Sequence, residues 1–231
     1  MKIAPPIIIL NYKTYYETTG WKAINLSESA DRLAKEHGIS IVVAPQFVDI
    51  TPISDQFDIP VFAQHIDPII PGSHTGQILP ESIKEAGALG TLLNHAERKI
   101  PFDTLEETVE LVKKLDLQTC ICAENLEVES EVATLDPDYV AFEIPELIGT
   151  GHSISTTEPE LVKSSVKRIH NENPDVIPLC GAGISDGKDV YAALNLGTKG
   201  VLLASAFAKA TDPEFVLIDL INGINKYLDE Q

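Results

Sequence analysis

A carboxylate stands at the end of a short apolar run, Tyr139-Val140-Ala141-Phe142-Glu143, and the chain then passes Pro145 into Gly149-Thr150-Gly151. The proline stiffens one end of that loop and the glycines free the other. An acid on a strand end, roofed by a loop that can move, has the makings of a proton-transfer site; a surface glutamate before an ordinary turn is the plainer reading. Polar residues close other apolar runs in the same way. Asn11 and Lys13 follow the first run, Gln64 and His65 the third, and Asn94-His95-Ala96-Glu97 the fourth. Gly181-Ala182-Gly183 follows the seventh and Ala204-Ser205 the eighth. One polar strand end is expected by chance, but a base, a lysine, a histidine and two small-residue turns together are far more specific than any one of them.

The elements that must position these residues show a regular beat. Apolar runs at 7–11, 39–44, 59–64, 89–94, 117–123, 138–143, 176–181 and 199–204 read as buried strands. Amphipathic patterns near 21–36, 49–56, 79–86, 104–115, 127–134, 158–172, 186–195 and 213–229 read as helices between them. Thr104 before Leu105-Glu106-Glu107 and Asp212 before Pro213-Glu214 are start signals. Strands alternating with helices imply parallel strands with right-handed crossovers. Eight units in 231 residues suit a closed (β/α)8 barrel in one domain spanning 1–231, near the ~250 residues typical of that fold. An open doubly wound sheet is the alternative, although Asn11-Tyr12-Lys13-Thr14-Tyr15 is not the glycine-rich turn of a dinucleotide fold. In a barrel the site lies at the carboxyl ends of the strands, where the polar residues stand.

Composition narrows the partners. With 35 acidic and 17 basic residues the net charge is −18, which argues against a nucleic-acid binder. Any anionic substrate needs a local positive site against that background. The three cysteines, Cys120, Cys122 and Cys180, are too few for a disulfide framework and suit a reducing interior. Ile7-Ile8-Ile9-Leu10 is too short for a secretory signal, and no stretch approaches the ~18 apolar residues of a membrane span. A cytoplasmic location, with no membrane contact, is the expectation.

At these residues the sequence resembles the triosephosphate isomerase family, and its archaeal branch in particular. The resemblance runs the length of the chain. It rests on Asn11-Tyr12-Lys13, Asn94-His95-Ala96-Glu97-Arg98, Phe142-Glu143 through Ile148-Gly149-Thr150-Gly151, Cys180-Gly181-Ala182-Gly183-Ile184 and Val201 through Ser205. It implies a TIM barrel that interconverts dihydroxyacetone phosphate and glyceraldehyde 3-phosphate, a step of glycolysis and gluconeogenesis, without metal or organic cofactor. By the same resemblance Glu143 is the general base, His95 the electrophile that polarises the carbonyl, and Lys13 the fixed charge beside the enediolate. His95 stands at a strand end before Ala96-Glu97, where a short helix can begin, and the resemblance implies that its imidazole is neutral. Asn11, Tyr12, Ile148, Gly149, Gly183, Ala204 and Ser205 correspond to substrate-binding positions, and Glu97 to an acid supporting the lysine. The stretch from Ile144 to about Ile154 resembles the family's lid, with His152 at its far hinge. Pro71 to Gln77 resembles a loop that reaches into a neighbouring subunit, which implies a homodimer or homotetramer.

The chain departs from the common pattern at three places. The hinge is Ile144-Pro145-Glu146 rather than Pro-Val-Trp, Ala204-Ser205 stands for a double glycine, and Gly183 stands for a serine. The remaining histidines have plain readings: His37 and His170 at helix ends favoured by the dipole, and His65 with Asp67 too sparse for a metal site. Two rival functions remain. One is a non-catalytic barrel that binds a sugar phosphate as scaffold or regulator; the other is a phosphate-binding barrel synthase.

Overall fold

The computed structural model describes residues 3–147, 149 and 151–231. Each of the eight apolar runs becomes a strand: β1 Ile7–Asn11, β2 Ser40–Ala44, β3 Phe62–Ala63, β4 Gly90–Leu93, β5 Gln118–Ala123, β6 Tyr139–Phe142, β7 Ile177–Cys180 and β8 Gly200–Leu203. All paired strands are parallel, in the order β2-β1-β8-β7-β6-β5-β4-β3. A parallel bridge between Val43 and Val61, with the Val43 N–H donating to Pro60 O at 3.0 Å, joins β2 to β3 and closes the ring. Closure decides for the barrel over the open sheet.

The strands read as unbroken apolar runs because both faces are covered. Successive side chains point to opposite faces. Ile7, Ile9, Val42, Ala44, Phe62, Leu92, Cys120, Cys122, Tyr139, Ala141 and Leu179 fill the barrel lumen. Their sequence neighbours, such as Ile8, Leu10, Ile41 and Val43, pack outward in a second cluster with helix residues such as Ala30, Leu33 and Leu220. The paired cysteines of β5 are therefore lumen residues, free and buried.

Helices fill the outer layer: α1 Trp21–His37, α2 Ile50–Ser54, α3 Pro80–Glu85, α4 Phe102–Lys114, α5 Leu126–Ala133, α6 Ile154–Thr157, α7 Pro159–Glu172, α8 Gly187–Asn195, α9 Ser205–Ala208 and α10 Pro213–Asp229. The Asp212 side chain caps α10 by accepting from the Phe215 N–H at 3.0 Å, and Gly38 ends α1 in the left-handed conformation just past His37. His170 lies in the last turn of α7, as its spacing suggests. The reading of Thr104 as a cap is corrected. Pro101 is the residue before α4, so the helix starts three residues earlier than a Thr104 cap would place it and Thr104 lies inside it, its carbonyl accepting from the Thr108 hydroxyl at 2.7 Å. A proline at the boundary presets helical entry and lacks an N–H that would need a partner. Among the described residues no helix is long and apolar enough to cross a membrane.

Between α5 and α7 the fold buries a carboxyl group. Glu129 is fully covered, with Oε1 accepting from the Ser165 hydroxyl at 2.6 Å and Oε2 without a hydrogen bond. Burial raises its pKa to about 7, only partly offset by that hydroxyl and by Arg168. The acid is thus easier to protonate folded than unfolded, so stability is full below its ordinary carboxyl range and declines as pH rises towards 7. We expect Glu129's share of the unfolding free energy, read as the difference between the wild type and Glu129→Gln in urea, to drop by on the order of 2 kcal/mol between pH 5 and pH 8. Glu129→Gln should make the wild-type slope shallower by that amount while Glu143 keeps its own part, and an unchanged slope would remove Glu129 as a source.

Candidate active site

The polar strand ends converge at the carboxyl rim of the barrel, around a cavity of about 310 Å³. Lys13, Tyr15, His95, Glu143, Gly149, Gly151, Gly181, Gly183, Ile184, Ser185, Leu203, Ala204, Ser205 and Ala206 line it.

Lys13 reaches the cavity through an unusual backbone. Its φ of +49° is left-handed, which costs a residue with a side chain about 1–3 kcal/mol and persists only when neighbours impose it. Here the Asn11 side chain accepts from the Lys13 N–H at 2.9 Å, and Gln64 Nε2 donates to the Lys13 carbonyl at 2.8 Å. Nζ then meets Glu97 Oε1 at 2.8 Å. Lys13 is 7% exposed, whereas the Glu97 side chain is 61% exposed, so solvent screens the pair from the acid's side.

His95 depends on a second left-handed residue. Leu92 points into the barrel and Leu93 outward, so simple alternation would send His95 out. Asn94, with φ +56°, turns the chain at the strand end and brings the imidazole to the cavity. The expected helix start at Ala96-Glu97 is not formed. Residues 96–98 make a turn closed by the Arg98 N–H on the His95 carbonyl at 2.7 Å, and α4 begins only at Phe102. Burial first, and then the Lys13 charge, push the His95 pKa down to about 4, which leaves the ring neutral near pH 7. The Glu97 backbone N–H donates to Nδ1 at 3.1 Å. Nδ1 is therefore the acceptor and Nε2 carries the proton, 3.7 Å from Glu143 Oε1.

Glu143 continues the inward line of Tyr139 and Ala141. Its N–H donates to Ala123 O at 2.8 Å, and its side chain is 2% exposed. Gly181 makes room for it, because a Cβ there would fall 2.6 Å from Glu143 Cγ. Burial raises the carboxyl pKa to about 7 against the lowering effects of the Cys122 thiol and the Lys13 charge, and Oε2 accepts no hydrogen bond. A carboxylate in this state is a stronger base than one in water.

The wall opposite is backbone. Gly183 has φ +72°, and a Cβ on it would meet the His152 carbonyl oxygen at 1.9 Å, so only glycine fits beneath the lid stretch. Ala204 precedes α9 without a capping side chain, and the first N–H groups of that turn have no acceptor within the helix. Gly149, φ +74°, lines the cavity from above.

Not every expected residue is brought here. Asn11 is buried and serves Lys13 rather than the cavity. The Tyr12 side chain lies in the outer core, its hydroxyl on Ser27 at 3.1 Å and its ring against Phe207. It is the outward-facing neighbour of Asn11 and cannot turn inward without leaving that core. Ile148 lies outside the described residues, so the lid stretch from Ile144 to Ile154 is described only in part. Its near end is a short 3-10 turn, Pro145–Leu147, and Ser153 caps α6 at the far end beside an exposed His152. His65 Nε2 and Asp67 Oδ1 pair at 3.0 Å while Asp67 Oδ2 accepts from the Ile78 N–H at 2.6 Å, which clips the base of the loop that carries the exposed stretch 71–77. Tyr15 and Ser185 were not marked by any spacing. Tyr15 enters because the chain bends back after Lys13 and is covered by Lys209 Nζ, 4.1 Å from its ring centre. Ser185 is held by Asp189 Oδ2, which accepts from both its N–H and its hydroxyl at 2.9 Å.

An eight-stranded α/β barrel whose rim joins a buried carboxylate, a neutral imidazole and a lysine around one cavity defines an acid–base enzyme site for a small polar molecule. The sequence profile described as "Triosephosphate isomerase" matches residues 6–224. Curated proteins named triosephosphate isomerase are similar along nearly the whole chain. That of Methanobacterium bryantii is 51% identical over 219 residues, which cover 95% of this chain and 97% of the relative. That of Methanobrevibacter smithii is 48% identical over 217 residues, covering 94% and 98%, and that of Methanocaldococcus jannaschii 48% over 218 residues, covering 94% and 100%. The chain belongs to the triosephosphate isomerase family.

Proposed function

We propose that this chain interconverts D-glyceraldehyde 3-phosphate and dihydroxyacetone phosphate, with Glu143 as the base. The observation that carries the reading is the placement of Glu143 Oε1 and His95 Nε2–H 3.7 Å apart on one cavity wall, with opposite chemical abilities. The Glu143 carboxylate takes a proton from the carbon beside the carbonyl, and the electron pair of that C–H bond moves toward the carbonyl oxygen. His95 Nε2–H donates to that oxygen and Lys13 offsets its growing negative charge. Returning the proton to the adjacent carbon, with a proton passed between the two oxygens, completes an isomerisation that consumes nothing. Backbone N–H groups at Gly183, Ala204 and Ser205, with Gly149 in the lid, hold the phosphate; the acidic surface of the protein makes such neutral donors preferable to a cluster of cations.

Glu97 keeps Lys13 in place, and no cofactor or metal enters the scheme. The chain works as one domain in the cytoplasm and as a homo-oligomer, the last supported by the exposed stretch 71–77 and by Ile70 beside it, 67% exposed. A scaffold that only binds sugar phosphates has no use for this base and imidazole. Coupled-assay turnover of glyceraldehyde 3-phosphate by the purified protein, without added metal, tests the proposal. Because Glu143 must be ionised, kcat/KM should rise with pH across about 7 and level off above it. Absent turnover with sugar-phosphate binding intact would leave the scaffold reading instead.

A further inference from the structure

One side chain ties the two halves of this proton-transfer pair together, and it touches neither the cavity's centre nor the lid. Asn94 is buried at the end of β4, with φ +56°. Its Nδ2 donates to the carbonyl of Cys122 on β5 at 3.0 Å, and its Oδ1 accepts from the Ile100 N–H at 3.0 Å. The second bond staples the two ends of the segment that contains His95, Ala96 and Glu97. The first fastens that staple to β5 at the residue whose register partner is Ala141, two before Glu143 on the same face. Glu143 itself is hooked to the next residue of β5, Ala123, through its N–H. Base and imidazole are thus both referred to one short stretch of β5, at Cys122 and Ala123.

We propose that Asn94 is a positioning residue for the reaction: its left-handed backbone and paired amide bonds fix the direction and tautomer of His95 relative to Glu143. Asparagine suits both duties. It enters the left-handed region more easily than other residues with a Cβ, and its amide supplies one donor and one acceptor on opposite sides. Glycine would supply only the backbone, and alanine neither. The Nδ1 acceptor contact from the Glu97 N–H depends on this turn, so loosening it releases the ring from the one tautomer that aims Nε2–H at the substrate.

The inference rests on the proposed isomerase reading, so its test includes a readout that needs no turnover. Asn94→Ala and Asn94→Gly are compared with the wild type for kcat, KM and thermal midpoint, and by ¹⁵N spectra of the imidazoles near pH 7. The six histidines are separated by the signal missing in His95→Gln. The wild type should show a neutral His95 protonated at Nε2 alone. Asn94→Ala should lower kcat about 10- to 100-fold with KM within about threefold, and give averaged tautomer signals, since small misplacements of a catalytic group cost rate rather than binding. Asn94→Gly should recover part of kcat by restoring the backbone, with the tautomer signals still averaged. A single Nε2–H tautomer in both variants, with kcat within twofold of the wild type, would overturn the proposal and leave Asn94 a structural turn residue.

Discussion

Glu143→Gln is expected to lower kcat for glyceraldehyde 3-phosphate by about a thousandfold or more, a loss of roughly 4 kcal/mol of transition-state stabilisation. The carboxamide keeps the shape of the side chain under Gly181, where there is room for nothing bulkier, but it has no basic oxygen able to accept a carbon-bound proton. KM should stay within a few-fold, because the backbone wall at Gly183, Ala204 and Ser205 is untouched. The variant should also fold at least as well as the parent. Its removal of a buried acid with an unpartnered Oε2 takes away the same kind of penalty as at Glu129. Initial rates in both directions, with a thermal melt alongside, make the measurement; kcat within tenfold of the parent would exclude Glu143 as the base.

Lys13→Met is expected to act on both parameters, with kcat down by about 10²–10³-fold and KM raised. Among the described residues that line the cavity, Lys13 is the one cation, in a chain whose net charge is −18. A substrate carrying a phosphate must approach against that field, so the lysine contributes to capture as well as to stabilising the enediolate. Methionine preserves the apolar stem and removes only the charge. The loss of Lys13 also lets the His95 pKa recover upward, since the ammonium helps to hold it down, while the exposed Glu97 stays solvated. Steady-state kinetics at two ionic strengths separate the parts. The KM difference between parent and variant should shrink with salt and the kcat difference should not. A kcat unchanged within threefold would show that the charge is dispensable to the chemistry.

The eight strands and most helices could be read from the sequence because parallel strands covered on both faces leave unbroken apolar runs, and because the helices between them are amphipathic. Glu143 was legible for the same reason: it is the residue at which such a run turns polar. What the sequence hid was orientation. Nothing in Asn94-His95 says that Asn94 takes a left-handed φ, yet without that reversal His95 would face outward. Tyr12 shows the converse, a residue next to two functional ones whose side chain alternation sends to the far side of the sheet. The helix expected after His95 failed on local grounds: the Ile100 N–H, which a helix would pair with the Ala96 carbonyl, is taken by the Asn94 side chain, so the turn at His95–Arg98 is not continued. Tyr15 and Ser185 reach the cavity through loop paths that carry no periodicity to detect.

The seam between β2 and β3 has a meaning for how the ring breathes. One bridge and a two-residue strand hold it, whereas the other neighbours share longer ladders, β7 with β8 excepted. Opening of a closed sheet starts where few backbone bonds must break at once, so amides along Val43 and Val61 should exchange with solvent early among the strand amides. Gln64 sits beside this joint, and one amide group donates both to Ala44 O on β2 and to the Lys13 carbonyl. A fluctuation that parts the seam therefore loosens the left-handed turn under Lys13, while the strands that carry His95 and Glu143 stay zipped to β5. Through Gln64 this seam and Lys13, the one cavity cation among the described residues, share a single amide, so a ligand that clamped the lysine would be expected to slow exchange at Val43 and Val61.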